Sequence, residues 1–418
     1  MTYNQATNFM TNCVDKSGKM RVETHRFGPF IFQVGIDTSS IIDLLSRVED
    51  AYMRFYATPL FNELSDNLEQ ISLVSAVYST NTIEGATLSE KETEETISLS
   101  SAQIQNENQQ RVLNLKNAYN KIKTMSQNST PTSKSTATIT EKFIRELHET
   151  VCHNLSAPKN NLPGLYRKEI KGFHVRVGDE NHGGVYTPPQ CRDDITKLVH
   201  HLADFANSQP LLALPALLRA PLIHYYFELI HPFQDGNGRV GRLIETYLLE
   251  TGNYHYVSKA MSAFYLKNID KYYALFNECR KSAQKKTPMP NTAFVEFFLE
   301  GMLHTINRLQ DTANTLISNY LNYTFIKTLQ NEKKINTRQA YILNQLLSND
   351  AINTLQKLSN ELWYKALYKN MSIRTQQRDI EELLKKTKLL MITHEGKLQL
   401  SQIKPLIKLF ENPKTSPK

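Results

Sequence analysis

Residues 231–242 carry side chains that together suit a nucleotide triphosphate. The run reads His-Pro-Phe-Gln-Asp-Gly-Asn-Gly-Arg-Val-Gly-Arg, and so holds an imidazole, a carboxylate, a glycine-rich turn and two arginines. Imidazole exchanges protons near neutral pH, so His231 is the candidate general base, able to take a proton from a hydroxyl group.

The residues on either side of this run predict how it is held. Apolar residues at helical spacing extend from Pro215 to Ile230 and resume from Val240 to Leu249, which predicts a loop between two buried helices. Backbone N–H groups of Gly236, Asn237 and Gly238, at the start of the second helix, would form a concave anion site. We therefore expect phosphate oxygens to bind at this turn.

The charged residues of the run fit the same ligand. Asp235 adjoins the predicted anion site, and Mg²⁺ is commonly held by one or two carboxylates together with phosphate oxygens. Arg239 and Arg242 are three residues apart and leave one face of the helix. Their planar guanidinium groups suit phosphate and stay charged. An ordinary helical connection would not require this whole set of residues together, so the run predicts an active site.

The run resembles the signature of the Fic family, His-Pro-Phe-x-Asp/Glu-Gly-Asn-Gly-Arg-x-x-Arg, at every position. The resemblance implies transfer of AMP from ATP to a Ser, Thr or Tyr hydroxyl of a target protein, with pyrophosphate leaving. It implies His231 as the base, Asp235 as the Mg²⁺ ligand and Phe233 as an apolar anchor. The phosphate-binding residues would be Gly236 to Gly238 as an anion hole, Asn237 as a phosphate contact, and Arg239 and Arg242 as clamps on the β- and γ-phosphates.

A second motif, Thr80-x-x-x-Glu84-Gly85, lies far upstream. Taken alone it indicates only a helix that ends at a glycine. Here it resembles the Fic inhibitory motif, which implies an N-terminal inhibitory helix in the same chain. A Glu84 carboxylate paired with Arg242 would occupy the guanidinium that the γ-phosphate needs. We therefore expect Glu84 to inhibit the transfer.

Two further segments are predicted to complete the site. Short alternating stretches around a polar turn, from Pro163 to Pro189, predict a β-hairpin. It resembles the Fic flap, where a target segment docks as an added strand, although a plain surface hairpin is the alternative. The docking residues would be Val175, Arg176, Val177 and Gly178. Downstream, Tyr272-Tyr273 resembles a pair in Fic enzymes, and Tyr273 would line the adenine pocket, although such pairs are more often core.

Composition sets the general class of the protein. The chain has 418 residues, 40% of them hydrophobic, and no apolar run approaches the length of a membrane span. The first ten residues are polar and carry no signal-peptide core. We expect a cytoplasmic, mainly helical protein with no membrane partner. The predicted parts are an N-terminal helical region with the inhibitory motif (1–125), a Fic-type helical core with a hairpin flap (138–325) and a C-terminal domain (333–418), with a polar loop at 126–138.

The C-terminal part differs in charge from the rest. Residues 333–418 hold 16 Lys and Arg against 7 Asp and Glu, whereas residues 1–332 hold 33 against 34. Its order of elements, with predicted helices at 337–347, 357–369 and 373–386 followed by a hairpin, predicts a winged helix. Residues 372–380 resemble a bacterial recognition helix, and Arg374, Gln376, Gln377 and Arg378 suit bases or phosphates. Because Asp379, Glu381 and Glu382 add acid to this helix, an interaction or orienting role is favoured over DNA binding.

Alternatives to the main interpretation stay open. One is a winged-helix DNA-binding regulator whose Fic core senses nucleotides. Another is a Fic enzyme with other chemistry or with the reverse reaction, removal of AMP. The target protein is not identified by the sequence, and a homo-oligomer is compatible with it.

Overall fold

The structure is a computed structural model that describes residues 18–127, 138–156, 161–170, 172, 174–349 and 351–400. Contacts divide the chain into two compact units, one up to Asp311 and the other from Thr312 onward. Most of the loop predicted at 126–138 and the polar first ten residues lie outside the described residues. The expected mainly helical class is confirmed.

The described part of the first unit begins with a short antiparallel hairpin, β1 (Lys19–Glu23) paired with β2 (Pro29–Gln33). Phe30 and Phe32 of this hairpin are buried. The helices that follow are α1 (Thr38–Tyr56), α2 (Asn62–Ile83), α3 (Glu90–Ile97), α4 (Glu107–Gln127), α5 (Glu141–Val151), α6 (Arg192–Ala206), α7 (Gln209–Leu212), α8 (Ala216–Ile230), α9 (Asn237–Thr251), α10 (Val257–Lys267), α11 (Ile269–Gln284) and α12 (Thr292–Asn331), the last of which runs past Asp311.

Helices α8 and α9 form the centre of the first unit. Almost every residue of both helices is buried, as expected of central helices that are packed on several sides. Gly241 lets them approach closely, because an added Cβ there would come within 2.6 Å of Glu228 Oε1 and 2.8 Å of His224 Cδ2. The predicted loop between two buried helices is confirmed, and it spans residues 231–236.

Helix α2 is long, largely buried along its second half, and packs mainly against α10. It ends at Ile83, and Glu84 follows as the C-cap. Gly85 has φ +81°, a left-handed conformation that glycine adopts without strain at a helix end. The glycine therefore has the plain capping role that the motif alone indicated, and it also sets where Glu84 leaves the helix.

The second unit contains short helices and a hairpin. These are α13 (Thr337–Ser348), α14 (Leu355–Asn360), α15 (Leu362–Leu367), α16 (Ile373–Glu381), a π-helical turn at Glu382–Lys386, and β3 (Leu390–Ile392) antiparallel to β4 (Leu398–Leu400). The helix expected over 357–369 is interrupted because Glu361 has an extended backbone, ψ 134°. The element order agrees with a winged helix, and assignment to that fold stays a prediction.

Candidate active site

The loop 231–236 is closed by hydrogen bonds within the predicted motif. Phe233 N–H donates to Asn237 Oδ1, and Asn237 Nδ2 donates to Phe233 O, both at 2.9 Å. Phe233 is fully buried, as the anchor role requires. The side chain of Asn237 thus shapes the loop, which leaves its backbone N–H as the group that could contact a phosphate.

Gly236 and the first turn of α9 form the candidate anion site. Gly236 has φ +86°, and a Cβ there would pack against Cys152 Sγ at 3.3 Å. The N–H groups of Asn237, Gly238 and Arg239 begin α9 and lack acceptors within the helix, as at any helix start. These groups can bind an anion together with the helix dipole.

His231 ends α8 with its side chain partly exposed. Its backbone is left-handed, φ +49°, which is uncommon for a residue with a Cβ. Nδ1 lies 3.5 Å from Glu228 Oε2. Burial alone would raise the pKa of Glu228, but the nearby His231, His224 and Arg242 hold that pKa below its ordinary value. Glu228 is therefore ionised beside the imidazole, where it can orient Nδ1–H and leave Nε2 to accept a proton.

Arg167 fixes the backbone of His231, the candidate base. Its Nε donates to His231 O at 2.8 Å, its own N–H donates to Pro232 O at 3.0 Å, and its terminal nitrogen donates to Pro189 O. Burial lowers the pKa of Arg167 to about 10. Carbonyl groups at a helix end lack intrahelical donors, and Arg167 supplies one here.

His148 supports the same loop from α5. Its Nδ1 accepts from Gly164 N–H and its Nε2 contacts Asp235 O, both at 3.0 Å, while its ring stacks on Phe233 with centroids 3.7 Å apart. Burial lowers its pKa to about 4. The ring is therefore neutral, and the acceptor at Asp235 O places its proton on Nε2. These contacts give His148 a structural role in holding the loop.

Sequence reasoning did not identify Glu228 or Arg167 as site residues. Glu228 could have been found as an acid one helical turn before His231, since residues three apart share a helix face. Arg167 could not, because its contact with His231 spans 64 positions and depends on tertiary folding.

Asp235 and Arg239 form an ion pair beside the anion site. Arg239 donates to Asp235 Oδ2 at 2.6 Å, with the guanidinium buried and the carboxylate 29% exposed. Among the described residues, no group of three or more His, Cys, Asp or Glu is placed to hold a metal ion. A metal at Asp235 would therefore depend on phosphate oxygens for its other ligands.

A cavity of about 270 Å³ opens at the loop. It brings together most of the predicted site residues, namely Glu84, Val177, Gly178, His231, Gly238, Arg242 and Tyr273. Asp235, Gly236, Asn237 and Arg239 lie in the adjoining loop and first turn, and Val175 and Arg176 lie further along the flap.

Glu84 enters this cavity and pairs with Arg242. The guanidinium donates to Glu84 Oε1 at 2.7 Å and also to Thr80 O at 3.3 Å. Burial alone would lower the pKa of Arg242, but the Glu84 carboxylate and Tyr272 raise it. An added Cβ at Gly238 would overlap the Glu84 carboxylate. Glu84 thus lies against the start of α9, where the anion site is expected.

The two tyrosines of the pair on α11 have different environments. Tyr273 lines the cavity, and its hydroxyl donates to Ile83 O at 3.1 Å. Tyr272 is 2% exposed, and its hydroxyl lies 3.1 Å from His224 Nε2. One tyrosine is therefore core and the other faces the candidate nucleotide cavity.

The flap has less strand structure than predicted. Among its described residues the pairing is a single antiparallel bridge, in which Val177 and Tyr186 exchange N–H···O bonds of 2.8 Å. Between the two bridge residues, three glycines have left-handed backbones that interrupt extended pairing, namely Gly178, Gly183 and Gly184. Beyond Tyr186, Pro188 and Pro189 have no N–H to donate to a partner strand. Phe173 of this segment lies outside the described residues.

Contacts with α11 hold the flap in place. Asn277 Nδ2 donates to His182 O and Gly184 O, and Lys281 donates to Gly183 O at 2.6 Å. The His182 ring bridges Asp179 and Asp270, with nitrogen–oxygen distances of 2.8 and 3.0 Å. The Asp270 and Asp179 carboxylates raise the pKa of His182.

Comparisons with known proteins agree on the family of the central segment. Residues 138–249 match the family model described as "Fic/DOC family". The protein adenylyltransferase Fic of Aedes aegypti is 31% identical over 116 residues, 28% of this chain and 20% of that protein. Its counterpart from Drosophila willistoni is 34% identical over 116 residues. The chain thus spans about a fifth of the length of these curated relatives.

Solved structures show the same fold. A Fic domain-containing signaling protein from Bacteroides thetaiotaomicron superposes with a TM-score of 0.51 at 22% identity, covering 64% of this chain and 97% of that one. A Fic family protein from Desulfovibrio desulfuricans gives 0.50 at 17% identity, covering 87% and 97%. The motif, the fold and the sequence match coincide, so residues 138–249 are a Fic domain of the Fic/DOC family.

Proposed function

We propose that the protein transfers AMP from ATP to a Ser, Thr or Tyr hydroxyl of a target protein, and that Glu84 inhibits this transfer. Curated relatives over the Fic domain are named protein adenylyltransferases, which supports the reaction class. The observation that carries the proposal is the single cavity shared by His231, the start of α9 and the Glu84–Arg242 pair.

The chain's own residues account for the proton and phosphate steps. The imidazole Nε2 of His231 takes the proton of the target hydroxyl. At the same time, the hydroxyl oxygen forms a bond to the α-phosphorus of ATP. The bond from that phosphorus to the bridging oxygen of the β-phosphate breaks, and pyrophosphate leaves. Ionised Glu228 beside Nδ1 stabilises the positive charge that His231 gains. The N–H groups at the start of α9 and the Arg242 guanidinium bind the phosphate oxygens.

Asp235 fits a Mg²⁺ ion that arrives with the nucleotide. Its carboxylate is partly exposed beside the candidate anion site and is paired with Arg239. Mg²⁺ usually takes only one or two carboxylates besides phosphate oxygens and water. When bound, the ion would neutralise phosphate charge that builds up as pyrophosphate leaves.

Glu84 would inhibit by competing with a phosphate for Arg242. The Glu84 carboxylate accepts a hydrogen bond from the Arg242 guanidinium and lies against Gly238. A γ-phosphate that cannot reach Arg242 leaves the triphosphate misaligned, so the α-phosphorus is not in line for attack. The inhibition therefore concerns nucleotide position and not the base.

Transfer from ATP labelled at the α-phosphate tests the proposal. The Glu84→Gly variant should label itself or added protein at least ~10-fold faster than the parent chain, which corresponds to ~1.4 kcal/mol. His231→Ala in the Glu84→Gly background should abolish labelling while ATP binding persists. Glu84→Gln, which keeps the side-chain length, should give an intermediate rate.

Several outcomes would point away from the proposal. Labelling from γ-labelled ATP, with none from α-labelled ATP, would indicate phosphate transfer. Labelling that persists without His231 would remove it as the base. Loss of label from a pre-modified target, with no forward transfer, would favour removal of AMP, the alternative chemistry on the same site.

A further inference from the structure

The second unit presents a basic helix face that the proposed function does not use. Residues 333–400 hold 12 Lys and Arg against 6 Asp and Glu. Helix α16 follows α15 after a turn of five residues, 368–372, and the β3–β4 hairpin follows the helix. This order places α16 as the second helix of a helix-turn-helix, the element that enters the major groove in DNA-binding domains of this type.

The outward face of α16 carries residues that suit DNA. Exposed positions recur at helical spacing, and they include Arg374, Gln377, Arg378, Glu381 and, in the following π-helical turn, Lys385. Arginine forks pair with guanine or phosphate, and glutamine amides pair with adenine. Ile373, at the first turn, is 73% exposed, and an apolar side chain at such a position can contact a thymine methyl group.

The acidic residues of this helix are mostly turned away from that face. Asp379 is fully buried and accepts hydrogen bonds from Arg338 Nε at 2.8 Å, Asn336 Nδ2 at 2.9 Å and Tyr368 OH at 3.0 Å. Glu382 accepts from Gln339 Nε2 at 2.9 Å. Glu381 is exposed, and Lys385 lies 3.5 Å from it. In the sequence, the acidic residues argued against DNA binding. In the structure, Asp379 and Glu382 instead hold this segment against the start of α13.

Basic residues continue beyond α16. Lys365 and Lys369 are exposed before it, and Lys388 and Lys397 are exposed in and before the hairpin. The acidic Glu395 in the hairpin turn is paired with Lys397 at 2.7 Å. Exposed lysines that flank a recognition helix are suited to contact phosphates on both sides of a groove.

We propose that the second unit binds duplex DNA, with Arg374, Gln377 and Arg378 on α16 in the major groove and the flanking lysines on phosphates. The observation that carries it is the exposed Arg374, Gln377 and Arg378 on a helix whose Asp379 is buried against α13. This binding is independent of the nucleotide site, whose residues all belong to the first unit.

Fluorescence anisotropy of a labelled 30-base-pair duplex, titrated with the full chain, tests the proposal. Binding should be measurable at 50 mM salt and weaken by at least ~100-fold at 200 mM, as counterion release by several phosphate contacts requires. The Arg374→Ala/Arg378→Ala variant should bind at least ~10-fold more weakly at 50 mM salt, with a smaller salt slope.

The matched control is Arg54→Ala/Lys91→Ala, which removes the same charge from exposed positions of the first unit. It should bind DNA like the parent chain, and circular dichroism melting should be unchanged in both variants because all four residues are exposed. Absence of salt-dependent binding at 50 mM would overturn the proposal. An equal loss in the control, or binding confined to single-stranded RNA or to protein, would also overturn it.

Discussion

At the scale of single residues, the imidazole of His231 has an acidic neighbour but no close hydrogen bond to it. Within the described residues, neither Nδ1 of His231 nor Oε1 of Glu228 has a hydrogen-bond partner, and the nearest approach of the two groups is 3.5 Å. Such contacts commonly shorten when substrate binds. The pair therefore fits a base whose orienting carboxylate engages during the reaction.

Replacing Glu228 tests this role. Glu228→Gln keeps the size of the side chain but removes the charge that stabilises protonated His231, so the transfer rate of the Glu84→Gly form should fall ~10- to 100-fold. The KM for ATP should change little, and the activity plateau should move in pH because a charge beside the base is lost. A change in KM alone, with an unaltered pH profile, would assign Glu228 to packing.

Arg167 is expected to position His231 without touching substrate. Arg167→Met leaves the His231 carbonyl without its donor and should lower kcat ~10-fold or more, with ATP affinity within ~3-fold of the parent. Arg167→Lys should recover part of the rate, since lysine can still donate once. The matched control is Arg145→Met, which removes a hydrogen bond to Gly164 O but no contact with His231. Equal losses in both variants would show a general effect on stability.

At the scale of secondary-structure elements, the sequence predicted helices best where apolar residues recurred at helical spacing without a break. The apolar runs on both sides of residues 231–236 became α8 and α9, because central helices bury almost every residue. The flap and the 357–369 helix were predicted less well. Left-handed glycines and the extended backbone of Glu361 interrupt them, and those conformations depend on tertiary contacts such as Asn277 with flap carbonyls.

A cluster of ion pairs anchors helix α2 to its neighbours at Glu69, about four helical turns before Glu84. Lys259 of α10 lies 2.7 Å from Glu69 of α2 and 3.2 Å from Glu250 of α9. Burial alone would raise the pKa of Glu250, but His255, Lys259 and Ser258 lower it to about 2. The three helices are thus joined by ion pairs of Lys259, and Glu69 belongs to the same helix that delivers Glu84.

Loosening this cluster should weaken the inhibition by Glu84. Glu69→Gln removes the ion pairs of α2 with Lys259 on α10 and Lys123 on α4, and a loss of ~1 kcal/mol in holding the helix would raise transfer ~5-fold. In a Glu84→Gly background the same change should have no further effect, because there is no inhibitory carboxylate left to displace. Glu63→Gln, an exposed change on the same helix, is the control. A further increase in the Glu69→Gln/Glu84→Gly double variant would show that Glu69 does not act through Glu84.

The flap should depend on pH through His182. Carboxylates raise the pKa of this histidine, so its charged bridge is complete below the ordinary histidine pKa and is lost as pH rises through the raised value. Hydrogen exchange of residues 175–186, corrected for intrinsic rates, should therefore become faster at high pH. Asp270→Asn should move that transition to lower pH. A flap whose exchange is the same at pH 6 and pH 9 would contradict the role of the bridge.

At the scale of the whole molecule, the candidate nucleotide cavity and the basic face of α16 belong to different units. Every residue that lines the candidate nucleotide cavity lies between Glu84 and Arg280, within the unit that ends at Asp311. The basic face lies on α16 in the other unit. None of the helices in the described residues is both long and apolar enough to cross a bilayer. Removal of one unit should therefore affect one activity and leave the other measurable.

A chain that ends at Asn331 tests this separation. The cut must follow α12 rather than the unit boundary, because α12 continues to Asn331 and its Leu309 and Ala313 are buried. In the Glu84→Gly form, residues 1–331 should label themselves within ~2-fold of the full chain, since no cavity residue is removed. The same protein should lose salt-dependent binding to duplex DNA. Loss of labelling despite an unchanged melting curve would show that the second unit contributes to the transfer itself, whereas retention of DNA binding would place the basic contact surface in the first unit.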